Sequence, residues 1–185
     1  MRVAVFGGSF NPPHIAHVLA VTYVASLGLC ERVLVVPVHA HAFDKHLAPF
    51  SSRLAMCREA MGFIPGVEIS DIEASLAPPN YTLNMLQALA VRHPEWQLRL
   101  VVGADVLGDS HKWHAWDQVC ALAPPIVLGR VGYARADAPP PVLPDVSSTR
   151  IRELLASGDE IATAELSLLL PRCVREAIAR EELYR

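Results

Sequence analysis

Residues 2–17 read RVAVFGGSFNPPHIAH, and the reading of the fold starts from this stretch. Arg2–Phe6 is a short apolar run of the kind that makes a buried strand, and Gly7-Gly8 ends it. From His14 onward Ile15, Val18, Leu19, Thr22 and Leu27 recur at mostly helical spacing, with Gly28 placed to terminate the helix. The stretch therefore joins a buried strand to a helix through a turn in which two glycines let the backbone approach a ligand closely.

The same alternation continues along the chain. Arg32–Val38 reads as a second strand. Ser51-Ser52 is placed to cap a helix with apolar positions Leu54, Cys57 and Met61. Val67–Ile72 alternates with period two, Tyr81–His93 is helical and closed by Pro94, and Leu98–Val102 is a fourth strand. Trp113–Leu122 reads as a helix and Pro125–Leu128 as a fifth strand. Ala138–Pro144 holds four prolines and reads as a loop. Ser147–Ala156 is helical, with Gly158 just past it, and two further helical pieces break at Pro171. Strands alternating with helices predict an α/β fold with a parallel sheet covered on both faces. In such a sheet ligands bind beyond the carboxyl ends of the strands. The loops after Phe6, Val38, Ile72 and Val102 are therefore the expected seat of chemistry.

Composition sets the outer bounds. The chain has 185 residues, 52% of them hydrophobic, with 16 basic and 19 acidic residues and a net charge of −3. One domain over 1–185 is expected, with no basic face for nucleic acid. Any anionic ligand must be held by local groups. No apolar run approaches the ~20 residues that span a bilayer; Ile15–Leu29 is interrupted by His17, Thr22, Tyr23 and Ser26. With no signal peptide read at the N-terminus, the expected location is the cytoplasm. Cys30, Cys57, Cys120 and Cys173 are widely spaced, which fits buried small hydrophobes and neither a disulfide framework nor a four-cysteine zinc site.

Two constellations carry chemistry. In the first, Gly7, Gly8, Ser9, Phe10 and Asn11 lead into a helix whose first turn places His14 and His17 on one face. Free N–H groups and the positive dipole end make such a start a phosphate site, and imidazoles add donors. An isolated H-x-x-H reads more plainly as a cap-region residue beside a surface histidine, and a zinc site would need a third ligand. In the second, Ser147-Ser148-Thr149-Arg150-Ile151-Arg152 opens a helix after the proline-rich loop. By itself it reads as an ordinary cap with solvated arginines.

Together these strings resemble the G-x-F-x-P-x-H-x-G-H and S-S-T-x-I-R signatures of the nucleotidyltransferase superfamily, with Ala16 in place of a usual glycine. The resemblance implies a Rossmann-like, three-layer, doubly wound parallel sheet of five to six strands, with a C-terminal helical piece at about 148–185 packed on it. The middle of the chain is similar to the bacterial nicotinate- and nicotinamide-mononucleotide adenylyltransferases. Lys45, Arg53 and Met56, the run Asn80-Tyr81-Thr82 with Leu86, the run Gly103-Ala104-Asp105, and Trp113 with Trp116 carry that likeness.

On this resemblance His14, His17, Lys45 and Arg152 are the expected catalytic residues. Gly7, Gly8, Ser9, Phe10, Gly103, Asp105, Ser148 and Thr149 join the two histidines and Arg152 in holding ATP. Asn11, Lys45, Tyr81, Thr82 and Trp113 hold the acceptor. Asp105 would accept from ribose hydroxyls and Trp113 would stack the pyridine ring, while Trp116 packs. The implied partners are ATP and a pyridine mononucleotide, with Mg2+ bridging phosphates and no protein metal site; homo-oligomer formation is left open. His39, His41, Asp44 and His46 offer no convincing metal set and read as a mobile, solvated loop. The expected reaction is AMP transfer to nicotinate mononucleotide, giving deamido-NAD and pyrophosphate. Rival readings are transfer to nicotinamide mononucleotide or phosphopantetheine, and a non-catalytic nucleotide-binding regulator. A dinucleotide-dependent oxidoreductase is disfavoured, because no G-x-G-x-x-G follows the first strand.

Overall fold

The computed structural model describes residues 1–40, 47–133, 136 and 138–184. Five parallel strands, β1 (Arg2–Gly8), β2 (Arg32–Pro37), β3 (Val67–Ile69), β4 (Gln97–Gly103) and β5 (Pro125–Leu128), lie in the order β3-β2-β1-β4-β5. Val5 of β1 is registered against Leu34 on one side and Leu100 on the other. The strand order reverses direction at β1, so its carboxyl end is the switch point where an open α/β sheet leaves a crevice.

Side chains alternate across each strand and feed two cores. Ala4, Val33, Val35 and Val101 face α1 (Ile15–Ser26), α2 (Phe50–Met61) and the C-terminal helices α6 (Ser148–Ser157), α7 (Glu160–Leu169) and α8 (Arg172–Glu181). Val3, Val5, Leu34 and Leu100 face α3 (Thr82–Arg92) and α5 (Trp116–Leu122). That is the three-layer, parallel α/β arrangement expected, with five strands. Gly28 takes the left-handed conformation after α1 (φ 66°), which its lack of a Cβ permits at no steric cost.

Local differences have local causes. α2 starts at Phe50 on Pro49, so Ser51 and Ser52 lie inside its first turn and cap nothing. β3 stops at Ile69 because the Ser70 hydroxyl accepts the Ile72 N–H at 3.2 Å, turning the chain into a single 3-10 turn at Ile72–Ser75. Trp113 does not open a helix. The short α4 (Ala104–Gly108) and a 3-10 turn at Ser110–Lys112 precede it, and the left-handed Ala115 (φ 51°) delays α5 to Trp116. Of the four cysteines only Cys57 is buried; the other three are half-buried and all are free thiols. Among the described residues no helix is long and apolar enough to cross a membrane.

Candidate active site

Two cavities adjoin at the carboxyl end of β1. The first, of ≈ 720 Å³, lies on the α1 side and is lined by residues that include His14, His17, Gly103, Asp105, Arg130 and Arg152. The second, of ≈ 470 Å³, lies on the α3 side and takes Gly7, Gly8, Tyr81, Thr82 and Trp113 among its walls. Ser9 lines both.

The histidine pair is built by the helix start. His14 is the N-cap of α1, and its N–H donates to His17 Nδ1 at 3.1 Å. With Nδ1 accepting, the neutral ring carries its proton on Nε2. The two imidazoles stack with centroids 3.7 Å apart. Phe10, in the left-handed region at φ 44°, packs its buried ring edge-on against Phe6 at 5.5 Å and His17 at 4.9 Å. That conformation costs an L-residue about 1–2 kcal/mol, a cost offset by ring burial. Burial, with Arg130 nearby, lowers His14 to about 4. Burial, then His14 and Arg130, holds His17 well below the ordinary histidine value. Both are therefore neutral donors near neutral pH. His14 Nδ1 is buried without a partner, a cost of about 1–3 kcal/mol unless a ligand or water meets it.

The second motif closes on the first. Ser147 caps α6 by accepting the Arg150 N–H at 3.2 Å. The Ser148 hydroxyl donates to the Pro12 carbonyl at 3.0 Å, and Arg152 donates to the Asn11 carbonyl at 2.8 Å and to Thr149 Oγ1 at 3.3 Å. Asp105 is not a free carboxylate. Its Oδ2 pairs with Arg130 at 2.7 Å, and a Cβ at Gly103 would collide with its other oxygen. A side chain at Gly103 would therefore push the Asp105 carboxylate out of its present position.

On the acceptor side, α3 begins at Thr82 with Tyr81 as N-cap and no side-chain cap, so its first-turn N–H groups remain available to an anion. Trp113 lines the second cavity and meets Trp116 edge-on at 5.2 Å. Trp116 is absent from both cavity walls and packs on the α3-side core.

Of the residues expected to hold ATP, Ser9, His14, His17, Gly103, Asp105, Ser148, Thr149 and Arg152 line the first cavity, whereas Gly7 and Gly8 line the second. Of those expected to hold the acceptor, Tyr81, Thr82 and Trp113 line the second cavity, whereas Asn11 lines the first. Phe10 lines neither and instead supports His17. Lys45, with the rest of 41–46, lies outside the described residues.

Sequence reasoning passed over Arg130, which stands just past the carboxyl end of β5, one strand end beyond those searched. It gave no role to Arg53 or Glu73. Arg53 is buried and donates to the carbonyls of Ala48 at 2.9 Å, Ser9 at 2.8 Å and His39 at 3.5 Å. Glu73, also buried, accepts the His39 N–H at 2.9 Å. No spacing signal marks either, because Ser9 and His39, which meet them, come from distant segments. Among the described residues no cluster of three or more His, Cys, Asp or Glu could hold a metal.

A switch-point crevice with two adjoining cavities and three helix starts is the architecture of an α/β protein built to bind phosphorylated ligands. Residues 5–154 match the family described as cytidylyltransferase-like. A relative from Anaeromyxobacter sp. (strain K), named a probable nicotinate-nucleotide adenylyltransferase, is 40% identical over 100% of this chain and 97% of its own length. One of the same name from Thermus thermophilus is 30% identical, with both chains covered in full. The chain belongs to the cytidylyltransferase-like family and, within it, to the nicotinate-nucleotide adenylyltransferases. The fold matches that of the Plasmodium falciparum nicotinic acid mononucleotide adenylyltransferase complexed with NaAD. The TM-score is 0.83 at 18% identity, covering 99% of this chain and 97% of the other.

Proposed function

We propose that the chain transfers AMP from ATP to nicotinate mononucleotide, giving deamido-NAD and pyrophosphate, in the cytoplasm. The observation that carries this reading is the pair of cavities meeting at Ser9. ATP occupies the first and the pyridine mononucleotide the second, which brings the acceptor phosphate to the α-phosphorus beside His14 and His17. A phosphate oxygen of the acceptor attacks that phosphorus in line. The bond to the bridging oxygen breaks, and pyrophosphate leaves with the electron pair. The monoester is already ionised near neutral pH, so neither a general base nor a covalent intermediate is required. The protein's part is positioning and charge stabilisation.

In that frame His17 donates from Nε2 to the phosphates, and Arg152 with the start of α6 holds the triphosphate. Lys45 supplies a further cation. Arg130 holds Asp105 toward the ribose, and burial, with Arg130 adding to it, keeps the histidines neutral. The α3 start binds the ring carboxylate, and Trp113 stacks the ring. Asp105 is the acidic side chain lining the first cavity, and an Mg2+ there would supply neutralisation of phosphate charge. Incubation with ATP, Mg2+ and, in parallel, nicotinate mononucleotide, nicotinamide mononucleotide or phosphopantetheine tests the reading. Pyrophosphate is expected fastest with nicotinate mononucleotide. Release only with phosphopantetheine, or with none, refutes it. His17→Ala should lower turnover about 10²–10³-fold while the circular dichroism of the fold persists.

A further inference from the structure

Glu73 is the only buried acidic side chain among the described residues, and the mechanism above does not use it. It sits on the 3-10 turn at Ile72–Ser75 and lines the second cavity together with Asn80, Tyr81 and Thr82. Asn80 Nδ2 donates to the Glu73 carbonyl at 3.1 Å, which ties this turn to the start of α3. Asn80 is itself buried, and its Oδ1 has no partner. The end of the cavity where α3 begins therefore combines helix-start N–H groups, suited to an anion, with a carboxyl and an amide oxygen, suited to a donor.

We propose that Glu73 is a specificity-determining residue of the acceptor cavity. With its carboxyl protonated the cavity takes a pyridine ring bearing a carboxylate; with it ionised the cavity turns against that ring relative to the uncharged carboxamide. The inference rests on the function proposed above. Two carboxylates sharing one cavity repel, whereas an amide carries no charge and offers N–H donors to the same oxygens. Burial pushes the Glu73 carboxyl up to about 7, against the opposing pull of the His39 N–H and of Arg53. The other titratable groups in this cavity are Lys112, paired with Asp109 at 2.8 Å, and Tyr81 and His114, whose rings stack at 4.4 Å.

The test is kcat/KM for nicotinate and nicotinamide mononucleotide, measured in parallel from about pH 6 to about pH 8.5. Both acceptors share the phosphate, ATP and the histidines, so those titrations cancel in the ratio. The nicotinate-to-nicotinamide ratio should fall about ten-fold as pH rises, with its midpoint near the Glu73 titration. Glu73→Gln should make the ratio independent of pH, and Glu73→Asp, which keeps a titrating carboxyl, should restore the dependence. A flat wild-type ratio, or a Glu73→Gln ratio that still falls, overturns the inference while leaving the functional reading standing. Release of pyrophosphate with neither acceptor overturns both. If Glu73→Gln does not fold, the wild-type and Glu73→Asp profiles decide.

Discussion

His14 and Glu73 are both buried ionisable side chains, and burial moves them in opposite directions because it disfavours the charged form of each. His14 goes from 6.5 to about 4, and Glu73 from 4.5 to about 7. Between about pH 4 and 6.5 the unfolded chain binds a proton at His14 that the native protein does not. The stability His14 contributes is therefore complete above 6.5 and lost as pH falls toward 4. Glu73 behaves in reverse: the native state holds its proton through a range in which the unfolded chain has released it. Its contribution falls as pH rises from 4.5 to about 7. Thermal melts across this range should show Glu73→Gln gaining stability with pH more steeply than the parent, and His14→Asn less steeply. Parallel curves for all three proteins would show that neither group is buried as described. The histidine pair was legible in the sequence because a helix brings residues three apart onto one face. The Glu73 shift was not, since it arises from burial where the 3-10 turn at Ile72–Ser75 meets segments distant in the chain.

At the scale of elements, the ends of β1, β2, β4 and β5 fall within two residues of their readings, because apolar runs bounded by glycine, proline or charge leave little freedom. α4 was missed: five residues make little more than a turn and cannot display a period. The role of α2 was also hidden. Its apolar positions were readable, but Arg53 interrupts them as a buried charge that donates to carbonyls of Ser9, His39 and Ala48. These three segments meet where the cavities join and where the 40–47 stretch begins and ends. Arg53→Met should cost about 3 kcal/mol, seen as a lower urea midpoint at unchanged slope, because three carbonyls lose a charged donor. Arg53→Lys should recover little of this, since an ammonium lacks the planar fork that reaches several acceptors at once. Full recovery by lysine would mean that charge alone matters at this position.

Over the whole molecule, a net charge of −3 coexists with a site for a highly anionic substrate pair. The positive elements are concentrated at one end of the sheet: the starts of α1, α3 and α6, with Arg130 and Arg152. That placement depends on α6 docking onto Pro12 and Asn11; α6 in turn is backed by α7, while α8 packs on α2. The last two helices contribute no residue to either cavity, yet Leu166, Val174 and Ile178 with the intervening Leu170 bury their side chains in the α1-side core. Each such side chain is worth about 1.5–3 kcal/mol, so together they rival the ~5–15 kcal/mol stability of an entire domain. Ending the chain after Gly158 should therefore abolish cooperative thermal unfolding and expose surface that binds a hydrophobic dye, with ATP binding lost as a consequence. Arg152→Ala should do the opposite, retaining a cooperative melt while the stabilisation by saturating ATP drops. If the shortened chain still melts cooperatively, α7 and α8 are an appendage and not a wall of the core.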